Sequence, residues 1–244
     1  RQRNLHSLES FQAIQCDQSS TLARRFLTLL DRLQTSTPLQ HDCLAALQAW
    51  DFSLRADSLA ACLYQSWLAV FCEQVLTRSL GEDLAGWLLG EKGLNPLAPH
   101  ASHATRYQGA IVLACLQGDT TLLPAGQSWD GLLQSSYEET LRRLEKRFGG
   151  EPKEWRWGKL HLLKMEHPLG KLGFLFPAAG PVETGGDAES PNQTGTMLVD
   201  GLPGPVSIGA SWRYVVRLSD LHCRSAHCPG QSGHPGSANY RDGF

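Results

Sequence analysis

Five side chains near the C-terminal end carry zinc-ligand chemistry: His222, Cys223, His227, Cys228 and His234. Imidazole nitrogen and thiolate sulfur are ligands that tetrahedral zinc accepts. Two adjacent His-Cys pairs at this spacing match no finger or ribbon pattern, and they read as lying beside a strand end. Packing and loop surface is therefore the preferred reading, and no metal is expected. His161 and His167 have the chemistry of general bases, since an imidazole changes charge near neutral pH. Neither has an acid partner or nucleophile beside it in sequence, so both are expected to hydrogen-bond within the fold. Ser232 lies in Gly230-Gln231-Ser232-Gly233, one residue short of the Gly-x-Ser-x-Gly nucleophile elbow, and reads as a turn residue. Asn192-Gln193-Thr194 fits a glycosylation acceptor, which has meaning only in a secretory eukaryotic setting.

The elements that must position these groups change character near residue 150. Residues 1 to about 148 read as helical. Ser7 is placed to cap a helix carrying Leu8, Phe11 and Ile14 on one side. Leu22, Phe26, Leu29, Leu30 and Leu33 recur at three- and four-residue steps, which makes one buried stripe. Leu44 and Leu47 mark a short helix after Pro38. A longer helix over roughly 59–78, capped by Asp57 or Ser58, carries Leu63, Trp67, Val70, Phe71 and Val75 and is apolar over much of its surface. Its Trp67/Phe71 stripe reads as core. Glu91 to His103, with Pro96, Pro99, His100 and His103, reads as irregular. Helical patterning returns over Tyr107–Leu116 and Ser135–Phe148, and Gly149-Gly150 is expected to end the latter in a left-handed turn.

From Trp155 onward Gly and Pro become dense and the apolar runs shorten to strand length. Ser211–Leu218 alternates, with Trp212, Tyr214, Val216 and Leu218 on one face and Arg213, Val215 and Arg217 on the other. Met197–Val199 is a shorter strand candidate, and a polar loop is expected between Gly180 and Gly195. The expected class is thus α+β, with a mainly helical region over 1–150 and a strand and loop region over 151–244, read as one domain.

The 244 residues hold 41% hydrophobic side chains, enough for a sizeable core. A formal net charge of -2 gives no electrostatic footprint for nucleic acid or an anionic membrane surface. No apolar run is read as a membrane span. Arg1 reads as a cut edge, since neither an initiator Met nor a signal-like segment begins the chain. The seven cysteines, at 16, 43, 62, 72, 115, 223 and 228, do not read as a disulfide framework. The first five sit in helical patterns and are expected to be small buried hydrophobes.

Four anchors in a fixed order carry a resemblance. They are Ser7-Leu8-Glu9-Ser10-Phe11 through Asp17; Ala49-Trp50-Asp51 with Tyr64-Gln65-Ser66-Trp67; Trp155-Arg156-Trp157-Gly158-Lys159-Leu160-His161 with His167-Pro168-Leu169; and the strand from Gly209 with its Gly230-Gln231-Ser232-Gly233 turn. Together they resemble the closing part of the β chain in the penicillin acylase (penicillin amidase) family of N-terminal-nucleophile hydrolases. The resemblance implies a piece of a four-layer α/β/β/α sandwich and hydrolysis of a non-peptide amide, with β-lactam acyl side chains and acyl-homoserine lactones both among the family's substrates. It implies a nucleophile at the first residue of the β chain, whose own α-amino group accepts the proton. None of the family's catalytic positions maps onto this sequence, so no catalytic residue is assigned and the chain alone is expected to be inactive. The family often holds a structural calcium through other segments, so no cofactor is expected here. Expected partners are the rest of the β chain, the α chain and a small amide substrate, and the implied compartment is periplasmic or secreted. Where many members carry Gly-Gly-Asp-Gly-Asp, this chain has Gly185-Gly186-Asp187-Ala188-Glu189, which predicts an altered loop because Ala and Glu resist positive φ. The rival readings are a non-catalytic helical interaction module and a small His/Cys metal-binding domain.

Overall fold

Serine and threonine side chains open the helices by accepting backbone N–H groups that a helix leaves unpaired. In the computed structural model, which describes residues 6–90, 107–123, 125–167 and 169–243, Ser7 caps α1 (Leu8–Gln15) and Ser20 caps α2 (Thr21–Phe26). Thr37, followed by Pro38 in the first turn, opens α3 (Pro38–Gln48), and Ser58 opens α4 (Leu59–Leu88). Helices α5 (Gln108–Gln117), α6 (Trp129–Phe148) and the single turn α7 (Trp157–Leu160) follow. The expected irregular span over Glu91 to His103 and the signature residue Pro168 lie outside the described residues.

Helix α4 runs ten residues past its expected end, with a break in helical geometry at Gly81 (φ 80°, ψ 161°). It is long and apolar enough to cross a membrane by length and composition, contrary to the sequence expectation, and its apolar stretch is 83% buried within the protein. That burial is the mark of a core helix. Residues 60–72 are buried on every side, which accounts for an apolar pattern without a polar face. Trp67 packs 4.5 Å from Phe26 and donates its indole N–H to Ser136 on α6. The aromatic pair thus belongs to the core, with its one polar atom satisfied.

Helix α6 is amphipathic and ends at Gly149, whose φ is positive but whose ψ of 175° is extended rather than helical. The left-handed helical cap occurs instead at Gly118, after α5. Cys43, Cys62, Cys72 and Cys115 are buried as expected, whereas Cys16 is exposed at the end of α1. Phe11 and Ile14 of the same helix are also about half exposed, because only Leu8 turns into the core.

The last third forms antiparallel ribbons: β1 (Leu162–Met165) with β2 (Ala179–Glu183), β3 (Thr194–Val199) with β4 (Leu202–Gly209), and β5 (Trp212–Arg217) with β6 (His222–His227). Each is a separate two-stranded sheet among the described residues. The chain is therefore mixed α+β, and Trp155, Trp157, Leu160 and Leu202 enter the same hydrophobic core as the helices. The face of β5 that packs inward is the one carrying Arg213 and Val215. Arg213 donates to the Gln15 carbonyl at 2.9 Å, and Gln15 donates back to the Tyr214 carbonyl at 3.1 Å.

Candidate functional site

The loop after β2 is built around a carboxylate. Asp187 Oδ1 accepts the backbone N–H groups of Glu189 and Ser190 at 2.9 and 2.7 Å, and Oδ2 accepts Gln65 Nε2 from α4 at 2.8 Å. Burial pushes the Asp187 pKa above its ordinary value, opposed by these donated hydrogen bonds. Two glycines bring the loop against the core. Gly186 N donates to the Leu54 carbonyl at 2.8 Å, and the Gly186 carbonyl accepts the Trp157 indole N–H at 3.1 Å. Ala188 and Glu189 do not take positive φ, so the departure from the family run does not require the loop to deform there. The positive φ falls on Gly186.

Asn192 and Thr194 belong to the same anchor. Asn192 Oδ1 accepts from Arg213 at 2.6 Å, its Nδ2 donates to the Gly185 carbonyl, and buried Thr194 donates to that carbonyl too. The acceptor-like triplet is therefore an internal tie between the loop and β5, with its Asn side chain already engaged.

His161 is fully buried and stacked on Trp157, with ring centroids 4.3 Å apart. As expected, its polar surroundings lie within the fold: the backbones of Gly204 and Thr194 act on the ring, although neither contact has the geometry of a full hydrogen bond. Burial pulls its pKa down to about 4, which keeps the ring neutral at physiological pH and sealed from any substrate. It is a packing residue.

His167 lies in a different setting. Its Nδ1 accepts the Leu169 backbone N–H at 3.0 Å and its ring stacks on Phe176. It shares a cavity of about 260 Å³ with Ser232, Glu166 and Tyr240, a convergence that the sequence spacing does not show. No hydrogen bond joins His167 to Ser232. The Ser232 hydroxyl accepts the His234 N–H at 3.1 Å and its backbone N–H donates to Asn239 at 3.0 Å, which is turn geometry.

Strand pairing accounts for the His/Cys pairs. They sit at the two ends of β6, with Cys228 just beyond it, and the adjacent His222 and Cys223 point to opposite faces of the ribbon. His227 Nδ1 lies 3.3 Å from the Gly230 carbonyl, Cys228 donates to the Gly243 carbonyl, and His234 accepts from Gly236. Among the described residues no three His, Cys, Asp or Glu side chains are grouped to hold a metal. The buried thiols are equally remote from nucleophilic chemistry: burial pushes Cys43 and Cys62 up to about 12 and Cys115 up to about 11.

A larger groove of about 690 Å³ runs between the last turns of α6 and the β3–β4 turn. Arg143, in its wall, donates to both oxygens of Glu73, to Glu139 and to the Gly201 carbonyl. These contacts tie two helices to a β-turn, a structural role for a side chain that the sequence did not single out. The signal for it was the helical i,i+4 spacing of Glu139 and Arg143.

The turn glycines divide into two kinds. Neither Gly230 nor Gly233 has positive φ. A Cβ on Gly230 would lie 2.4 Å from the Asn239 carbonyl, whereas one on Gly233 would meet nothing within 4 Å. Gly230→Val is therefore expected to destabilise the protein by about 1–3 kcal/mol through overpacking, and Gly233→Val by under about 0.5 kcal/mol. Ser232→Ala should cost about 0.5–1.5 kcal/mol for one lost hydrogen bond. Urea titration of the three variants checks the order; equal losses at the two glycines would refute the close-approach argument.

Comparison with known proteins places these anchors. Proteins named acyl-homoserine lactone acylase QuiP align over nearly all of the chain. That of Pseudomonas putida is 27% identical over 98% of this chain and 31% of its own length. That of Pseudomonas aeruginosa is 24% identical over 98% and 31%, and one from Pseudomonas fluorescens is 23% identical over 98% and 30%. The chain thus spans about a third of the length of these relatives. The family model described as penicillin amidase matches residues 1–244, and the chain belongs to that family.

Proposed function

We propose that this chain is the closing part of the β chain of an N-terminal-nucleophile acylase that hydrolyses a linear amide, with an N-acyl-homoserine lactone as the substrate class to test first. The observation that carries the reading is the family match across all 244 residues, together with relatives whose name specifies that substrate. In this reading the strand ribbons and helices belong to an α/β/β/α sandwich whose nucleophile lies in another segment. There the nucleophile's oxygen attacks the amide carbonyl and its proton passes to the α-amino group. The C–N bond breaks as the amine takes up that proton, and water then releases the carboxylic acid. This chain contributes structure. Among the described residues, the one serine hydroxyl near an imidazole in the first helix, Ser10, 3.2 Å from His6 Nδ1, is half-buried and occupied in the α1 capping box.

The complete polypeptide encoded with this chain should release homoserine lactone from an N-acyl-homoserine lactone, measured by chromatography of both products. The 244-residue chain alone should release none above the blank. Turnover by the chain alone would overturn the assignment of the nucleophile elsewhere. Failure of the complete polypeptide on acyl-homoserine lactones, acyl anilides and penicillins alike would overturn the acylase reading.

A further inference from the structure

The cavity of about 260 Å³ that His167 shares with Ser232 opens where the end of β1, the start of β2 and the turn at 230–233 meet. Its polar lining is Glu166, His167, Gln231, Ser232, Tyr240 and Arg241, and most of the donors among them are unspent. Because His167 Nδ1 accepts the Leu169 N–H, the ring proton sits on Nε2, which is left as a donor. The Ser232 hydroxyl accepts from His234 and still has its own proton to give. Tyr240 is 7% exposed, yet its hydroxyl is not one of the polar atoms sealed from solvent. Arg241 spends one N–H on the Ala178 carbonyl at 3.3 Å, and the rest of its planar donor fork remains. Among the described residues Nε2 of His167, the Ser232 proton and the Tyr240 hydroxyl meet no acceptor.

Charge and size narrow what such a site takes. The Glu166 carboxylate is already paired with Lys164 at 2.6 Å, so those two charges cancel. Asp242 places its Oδ1 beside Gly230, outside the lining, and makes no ion pair with Arg241 among the described residues. Water can satisfy the donors one by one, but it cannot answer the guanidinium charge. A carboxylate does both, because its two oxygens match the arginine fork and accept further hydrogen bonds. A doubly charged phosphate would meet only one cation here. The volume lies below the roughly 300 Å³ at which pockets for drug-sized ligands begin, so the acid must be small. Met165, Pro177 and Ala179 supply an apolar wall for a short tail.

We propose that this cavity is a binding site for a small monocarboxylate, whose oxygens are held by Arg241, Ser232, Tyr240 and the Nε2–H of His167. The proposal goes beyond the acylase reading and needs only these residues in this arrangement.

The intact polypeptide is titrated with butyrate, and broadening of the butyrate methyl resonance reports the bound fraction. Saturable binding with a Kd of about 1 mM or tighter is expected. Butyramide keeps the shape without the charge, so it should bind at least about tenfold more weakly. Arg241→Gln, at an exposed position, should weaken butyrate binding at least about tenfold. Ser232→Ala with Tyr240→Phe should do the same, and if that double variant fails to fold, Arg241→Gln alone decides. No saturation by about 20 mM butyrate, as when a side chain from the rest of the polypeptide fills the cavity, would overturn the proposal. Equal binding of butyramide would overturn it by reducing the site to an apolar hollow. Unchanged binding to Arg241→Gln would overturn it by placing the butyrate elsewhere. The readout is binding alone, so it stands or falls separately from hydrolysis of any amide.

Discussion

Gly186→Val is expected to destabilise the protein by about 4 kcal/mol or more, the sum of backbone strain at a positive φ and a collision in a packed site. The position combines φ of +84° with a Cβ that would lie 2.2 Å from the Asn192 carbonyl oxygen and 2.8 Å from Thr194 Oγ1. Those atoms cannot move away freely, because Thr194 is fixed by its bond to the Gly185 carbonyl and Asn192 by Arg213. Displacement of residue 186 also breaks its bonds to Leu54 and Trp157, so the loop would leave the core with Asp187. Gly126→Ala is the control. It has φ of +76° but nothing within 4 Å of the added carbon, so strain alone should cost about 1–2 kcal/mol. Urea titration of both variants separates the effects, and equal losses would show that the contacts around Gly186 contribute nothing.

The loop illustrates what the sequence reveals and what it withholds. Gly185-Gly186-Asp187 marks a built turn, but attention to the substituted positions 188 and 189 points to the wrong residues. Which glycine must stay is decided by Leu54, which approaches from another part of the chain, and by Asn192, which folds back from further along the same loop. The helices are far more legible, because a stripe such as Leu22, Phe26, Leu29 and Leu33 is a local pattern. Even there the run ends as a 3-10 helix over Leu27–Arg32, and α4 outlasts its expected end because Gly81 interrupts it without stopping it. The β5 strand is equally clear as an alternation, yet its inward face is chosen by α1, some 199 residues away along the chain. Apolar content alone selects the aromatic face, while ion pairs and carbonyl contacts to Arg213 and Arg224 select the other. The convergence of His167 and Ser232 on one cavity is likewise a product of tertiary folding.

His161→Phe is expected to flatten the acid side of the protein's stability profile. Burial against Trp157 lowers the His161 pKa from 6.5 to about 4, so the folded state favours the neutral ring. A depressed pKa contributes stability that is present in full above 6.5 and is lost as pH falls toward about 4, because the unfolded chain takes up the proton first. The shift corresponds to about 3 kcal/mol at about 1.4 kcal/mol per pKa unit. Asp187 acts with the opposite sign. Burial raises its pKa above 3.8, so its contribution is full below that value and declines as pH rises through the folded pKa. The wild-type profile is the sum of the two, and the decisive quantity is the difference between wild type and His161→Phe. Phenylalanine retains an aromatic ring to stack on Trp157 and removes two buried nitrogens whose contacts to the Gly204 and Thr194 backbones fall short of full hydrogen-bond geometry, so the variant should stay close to wild-type stability near neutral pH. On moving to pH 4 the wild type should lose about 3 kcal/mol more than the variant. Urea titrations of both proteins at the two pH values measure this, and parallel losses would show that His161 does not titrate as a buried, depressed imidazole.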